Sequence, residues 1–178
     1  DLSSAQQQSL LDFLDLLQKW NKVYNLTAVR NLQEMLTHHL LDSLAAVPAL
    51  QRHLATQPGA ARLLDVGCGG GLPGVVFAIC CPQLTVHCVD TVAKKAAFIQ
   101  QAAASLHLPN LTGIHARVES LTGPYALVTT PAFLGFAHFT ALSCSPLPAA
   151  GVWPVSKHLL LLDAIATLHA LSPLHICR

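Results

Sequence analysis

Residues 63–74 read Leu-Leu-Asp-Val-Gly-Cys-Gly-Gly-Gly-Leu-Pro-Gly, and no other stretch restricts the fold of this chain so tightly. Five glycines in twelve residues separate one short apolar run from another. The first run suits a strand buried on both faces, and the uncharged run after Pro73 suits a helix that begins there. A glycine-rich turn between strand and helix lets a backbone approach a ligand closely, with the helix N-terminus beside it. The chain is therefore expected to hold a small ligand at the end of a first strand.

Around that loop the pattern alternates. Short apolar runs at 62–66, 84–89, 111–115, 125–129 and 151–155 predict strands, and stretches at 73–81, 92–106 and 132–142 predict helices. Buried strands alternating with helices make an α/β protein with a doubly wound, mostly parallel, Rossmann-like sheet. Ahead of it, Ser3 or Ser4 can cap a helix in which Leu10, Leu11, Phe13, Leu14, Leu17 and Trp20 recur at helical spacing. A loop is expected near Asn21–Thr27, then a second amphipathic helix over about Leu32–Val47 that Pro48 ends, then a turn at Gln57-Pro58-Gly59. The expected division is an N-terminal helical extension at 1–60 and a ligand-binding domain at 61–178. Residues 157–178 read as helix with nothing to orient it.

Charge is scarce and unevenly placed. Charged side chains make up 11% of the 178 residues; sixteen fall in residues 1–120 and three, Lys157, Asp163 and Arg178, in the remainder. Six of the eleven prolines also lie beyond residue 120. Up to that point eight cationic side chains balance eight carboxylates, so no global field advertises a nucleic acid. A nucleic-acid partner would need a local patch such as Lys19, Lys22 and Arg30. The six cysteines (68, 80, 81, 88, 144 and 177) form no C-x-x-C pair and no spacing suited to a metal, and several sit in apolar runs as small hydrophobes. No metal is expected. The N-terminus shows no signal peptide and the uncharged stretches are broken by glycine and proline, so a cytoplasmic protein without a membrane span is expected.

The identity of the ligand turns on two carboxylates. Gly69, Gly71 and Gly74 satisfy G-x-G-x-x-G, the dinucleotide fingerprint, which leaves a nicotinamide-dependent oxidoreductase open. Asp65, Gly67, Gly69 and Gly71 read as D-x-G-x-G-x-G. An acid in the strand can accept from an ammonium, directly or through water, and is a poor neighbour for a pyrophosphate, which suits S-adenosylmethionine. Asp90, at the end of the second strand, can accept from both hydroxyls of an adenosine ribose, and so fits either cofactor.

The stretches "WNKVYNLTAVRNLQEMLTHHLLDS" (20–43), "DVGCGGGLPG", "VDTVAKKAAFI" and "ARVE" together resemble the GidB/RsmG family, in order and at family spacing from residue 10 to about 120. That resemblance implies the class I methyltransferase fold and an S-adenosylmethionine-dependent enzyme acting on N7 of a guanine in small-subunit (16S) ribosomal RNA, free or in the ribosomal subunit. It implies cofactor contacts at Gly67 and Leu72 in the loop and at Val118 and Glu119 beside the adenine. It places His39 and Asp42 of H-x-x-D-S, and the basic pair Lys94 and Lys95, toward the substrate. A helix-surface hydrogen bond and solvated lysines are the plain alternatives for these four. No catalytic base is identified, and none is required: N7 carries an in-plane lone pair.

Beyond residue 120 the chain departs from the family's motifs. Ala126 stands at the place of an aspartate and Pro131 at that of an arginine that contacts cofactor or substrate. Pro154 falls inside an expected strand, where it removes a ladder donor, and Lys157 stands for the family lysine with His158 in place of glycine. The tail reads as divergence or as a short out-of-frame run. The alternative function is therefore a catalytically impaired, cofactor-binding or RNA-associated remnant of the same family.

Overall fold

The computed structural model describes residues 2–56, 59, 61–122, 125–131, 152–156 and 159–163. Helix α1 (Ser4–Tyr24) starts in a capping box, with the Gln6 amide donating to Ser3 Oγ (3.2 Å) and the Ser3 amide to Gln6 Oε1 (3.0 Å). It runs past the loop expected from Asn21 and stops where Asn25 turns left-handed (φ 50°). Asn21 is helical because its side chain is wanted inside: it is 5% exposed and bonds the turn that follows.

Asn31 caps the next helical segment by accepting from the Gln33 amide (2.8 Å). Short helix α2 (Leu32–Met35) passes through a six-residue π-helical stretch (Leu36–Leu41) into α3 (Asp42–Thr56). The expected stop at Pro48 is corrected, since α3 continues for two further turns. Pro48 lies on the exposed side, where water can serve the carbonyl it leaves without a donor, while Ala46, Val47 and Leu50 are buried in the core.

The sheet contains β1 (Arg62–Val66), β2 (Thr85–Asp90), β3 (Leu111–His115), β4 (Leu127–Pro131), β5 (Val152–Ser156) and β6 (Leu159–Asp163), in the order β3-β2-β1-β4-β6-β5. The first four are parallel: Asp65 of β1 lies beside Cys88 of β2 and Thr129 of β4, and Asp90 beside His115 of β3. β6 is antiparallel to both its neighbours, with Val128 opposite Leu162. Helices α4 (Gly74–Cys80) and α5 (Ala93–Ser105) make the crossovers from β1 to β2 and from β2 to β3. This is the doubly wound, mostly parallel α/β architecture, and the step from β3 across to β4 puts the switch point of the sheet between β1 and β4, where ligands bind in such sheets.

Two expectations for the last third of the chain change. Residues 159–163 form a strand where a helix was read. Among the described strands Pro154 lies in the outermost, with an irregular register between Pro154 and Ser156, so the lost donor interrupts no central ladder. The helix expected at 132–142 lies outside the described residues.

Helix α4 has only seven residues, all of them buried, and borrows its stability from neighbours. Gln6 Nε2 donates to the carbonyls of Ile79 and Cys80, and Asn110 Nδ2 to those of Ala78 and Leu84, so the end of the helix is satisfied from both sides. One buried cluster joins Phe13 and Leu17 of α1, Met35, Leu50 of α3, Val75 and Phe77 of α4, and Phe98 and Ile99 of α5. The opposite sheet face buries Leu64, Val66, Val89, Tyr125 and Val128. Cys68, Cys80, Cys81 and Cys88 are buried free thiols. Among the described residues no helix is long and apolar enough to cross a membrane, and no cluster of side chains suits a metal ion.

Candidate functional site

The glycine loop is strapped to the end of β2. The Gly67 amide donates to the Val89 carbonyl (2.8 Å), the Gly71 amide to that of Cys68 (2.7 Å), and the Gly69 amide to Asp90 Oδ2 (3.1 Å). Asp90 Oδ1 accepts from the Val92 amide (2.9 Å), and Lys95 Nζ stands 3.7 Å from Asp90 Oδ2. One carboxylate thus fixes the loop and the start of α5 together. Gly67, with φ +70°, has no heavy atom within 4 Å of where a Cβ would stand, so the backbone there is open to a ligand. Gly71, with φ +84°, is pressed instead against Ile99 and Val75, where a Cβ would come within 2.6 Å of each.

Asp65 occupies a different place from the one expected. It is fully buried, with Oδ2 accepting from the Gly74 amide (2.9 Å) and Oδ1 from Thr129 Oγ1 (2.9 Å). Its carboxylate lies behind the loop, holds the first residue of α4, and is absent from the cavity wall. Burial, against the hydrogen bonds from Thr129, Gly74 and Cys88, pushes it up to about 6. A carboxylate in that position shapes the loop from behind.

Facing the loop is a wall that the N-terminal helices supply. Asn21 Nδ2 donates to the Val29 carbonyl (2.9 Å) and Asn21 Oδ1 accepts from the Thr27 amide (2.8 Å), which folds residues 25–29 over the loop. Thr27 Oγ1 lies 2.8 Å from His39 Nε2 and also accepts from the Val29 amide (3.3 Å). Burial is the main cause holding the His39 imidazole below its ordinary value, outweighing the opposing pull of the His38 backbone and of the Asp42 charge. The π-helical stretch widens the turn so that His38, His39, Asp42 and Ser43 all reach the same side, a use to which such irregularities are often put.

Between loop and wall lies a cavity of about 600 Å³, bordered by Gly67, Gly69, Leu72 and Lys95 on one side and by Thr27, His39 and Asp42 on the other. Of the residues singled out from sequence, Gly67, Gly69, Leu72, Lys95, His39 and Asp42 are brought together here. Val118 and Glu119 form a short 3-10 turn after β3, outside that cavity; the chain leading into it is tied to β2 where the Asp90 carbonyl accepts from the Ala116 amide (3.3 Å). Lys94 is exposed on the first turn of α5, and Lys157 lies outside the described residues. Asn21, Thr27 and Ser43 escaped the sequence reading as site residues. Their only signal was the W-N-x-x-x-N-L-T and H-x-x-D-S motifs themselves, which say nothing of which side chain folds the wall.

A sequence model of the family described as rRNA small subunit methyltransferase G matches residues 6–171. The chain belongs to that family. The match continues beyond residue 120, where the quoted motifs end. Among curated relatives named ribosomal RNA small subunit methyltransferase G, that of Acidovorax ebreus (strain TPSY) is 67% identical over 176 residues, covering 96% of this chain and 78% of the relative. That of Leptothrix cholodnii (strain ATCC 51168 / LMG 8142 / SP-6) is 52% identical over 157 residues, covering 88% and 71%. Among solved structures, magnesium protoporphyrin IX methyltransferase from Synechocystis PCC 6803, with bound SAH, aligns over 89% of this chain and 100% of its own at 15% identity and a TM-score of 0.48. That likeness is too remote to carry weight. The family assignment rests on sequence.

Proposed function

We propose that this chain transfers a methyl group from S-adenosylmethionine to N7 of a guanine in small-subunit ribosomal RNA. The observation that carries the reading is the family match across residues 6–171, whose curated relatives are named for that RNA. When bound, S-adenosylmethionine supplies a sulfonium methyl that the N7 lone pair takes up as the S–CH3 bond breaks, its electrons staying on sulfur and the positive charge passing to the purine.

The chain's own residues suit that ligand. Gly67 offers open backbone, Leu72 an apolar edge, and Gly69 is held at the right height by Asp90. Asp90 would accept from the ribose hydroxyls, and Val118 and Glu119 would flank the adenine. Asp65 serves this site from behind, by fixing the turn into α4. Across the cavity, His39 and Asp42 would hold the guanine in line, and a carboxylate on that wall offsets the positive charge that the purine acquires. Lys94, Lys95 and Lys157 would meet RNA phosphate. A cytoplasmic location, with naked RNA or an assembled subunit as substrate, follows from the same reading. So does the division into an extension, 1–60, and a cofactor domain, 61–178.

The test is a calorimetric titration of the purified chain with S-adenosylmethionine, with NAD as control, followed by transfer of labelled methyl to small-subunit RNA, naked and in the assembled subunit, that lacks the modification. Saturable binding of S-adenosylmethionine alone and label recovered as N7-methylguanosine are expected. Competition by NAD, or a folded, cofactor-binding chain that labels no RNA, would overturn the reading.

A further inference from the structure

Beside the cavity lies a surface of which the proposed site uses only Lys94. Trp20, near the end of α1, packs against Tyr24 (ring centroids 5.0 Å) and against Phe98 of α5 (5.5 Å), so the last turns of α1 are tied to the first turns of α5. Lys94 lies one helical turn before Phe98. Arg30 Nη2 donates to Asn25 Oδ1 (3.3 Å), which draws it back over the end of α1. Lys19, Lys22, Arg30 and Lys94 are all exposed. Beside them Tyr24 is 39% and Val23 70% exposed.

Cations gather in two stretches, bounded by Asp15 and Glu34 and by Asp90 and Glu119, although the whole chain carries only +1. Residues 16–33 hold three cationic side chains and no carboxylate, and residues 91–118 again hold three and none. Helix electrostatics explains only part of this. Lys22, in the last turn of α1, meets the negative end of that helix, but Lys94 and Lys95 sit in the first turn of α5, where the helix dipole opposes a cation. Lys95 has Asp90 to offset the cost, whereas no ion pair with Lys94 is present among the described residues. An exposed cation kept where its own helix disfavours it, next to an exposed aromatic ring, fits a partner that brings phosphates and flat bases.

We propose that Lys19, Lys22, Tyr24, Arg30 and Lys94 form the docking surface for the single-stranded RNA segment flanking the base to be methylated. Phosphates lie along the cations and one neighbouring base stacks on Tyr24. The strand is single because a base that enters a cavity of about 600 Å³ has left its duplex. Lys95, which borders the cavity and lies on the same helical turn as Lys94, marks the way in. This inference rests on the reading of the chain as an RNA methyltransferase.

The experiment compares the full chain with Lys22→Gln/Lys94→Gln, Tyr24→Ala and Tyr24→Trp. It measures the affinity for a fluorescent single-stranded RNA at several salt concentrations, the KM for small-subunit RNA, and the Kd for S-adenosylmethionine. The double variant should bind RNA at least tenfold more weakly, with a salt slope shallower by about 1.4. Tyr24→Ala should lose roughly 5- to 100-fold, and Tyr24→Trp should retain affinity. The Kd for S-adenosylmethionine should stay fixed in all three. Wild-type RNA affinity, slope and KM in both the double variant and Tyr24→Ala would overturn the docking surface while leaving the function intact. A wild-type chain that binds cofactor but neither binds nor labels RNA would overturn both.

Discussion

Asp65 and Asp90 end up within one loop's width of each other and serve it in different ways. Asp65 is a buried carboxylate satisfied by Thr129 and Gly74, pushed up to about 6 from an ordinary 3.8, chiefly by burial. Between those values the folded chain holds a proton that the unfolded chain has released. Its contribution to stability is therefore fully present below about pH 4 and lost as the pH rises through 6. Asp65→Asn keeps an acceptor for the Gly74 amide and has nothing to ionise. Urea unfolding of both proteins at about pH 4 and pH 7.5 should show the variant gaining on the wild type by about 2 kcal/mol across that interval. Parallel behaviour would mean that Asp65 ionises alike in the folded and unfolded chain. Asp90 keeps slight exposure and binds the loop through the Gly69 amide. Asp90→Ala frees the Gly69 amide and would remove the hydrogen bonds proposed to the ribose hydroxyls. The Kd for S-adenosylmethionine should rise by the equivalent of about 1–3 kcal/mol, and an unchanged titration would remove Asp90 from the site.

At the scale of elements, two glycines of one loop separate shape from contact. A Cβ at Gly67 meets only the strain of a left-handed residue, whereas a Cβ at Gly71 also strikes Ile99 and Val75. Gly67→Ala should cost about 1–2 kcal/mol of stability yet weaken S-adenosylmethionine binding, because its methyl fills the space where the ligand approaches. Gly71→Ala should cost a further 1–3 kcal/mol or so from overpacking. Thermal melts and titrations of the two variants check the contrast; equal losses of stability would refute it. The loop, β1, β2, β3 and their helices were legible because each depends on a local pattern, an apolar run of strand length or a glycine turn. The wall was not. Nothing local tells the chain to widen its helix at Leu36–Leu41 or to carry on through Pro48, since both follow from which side chains the core accepts. The spacing of Asp65 to the glycines is visible in the sequence, whereas its partner Thr129 lies on a strand 64 residues away. Pro154 looked misplaced because only the sheet order reveals that its strand is the outermost of those described.

For the whole molecule, the decisive fact is that the N-terminal helices and the cofactor loop share one core. Leu17 of α1 packs against the loop so closely that a Cβ on Gly70 would meet its Cδ1 at 2.9 Å, and Gln6 holds the end of α4. A ligand gripped between loop and wall therefore stabilises both at once. S-adenosylmethionine at a hundred times its Kd adds about 2.7 kcal/mol, which for a chain of this size raises the melting midpoint by roughly 5–10 °C. Trp20 reports on α1, and Trp153→Phe removes the other tryptophan, in β5, from the signal. In that background, Trp20 fluorescence and the calorimetric transition should move together when cofactor is added. If the fluorescence midpoint stays still while calorimetry shifts, α1 melts independently of the loop, and the wall facing the cofactor cannot be as firmly built as its hydrogen bonds through Asn21 and Thr27 require.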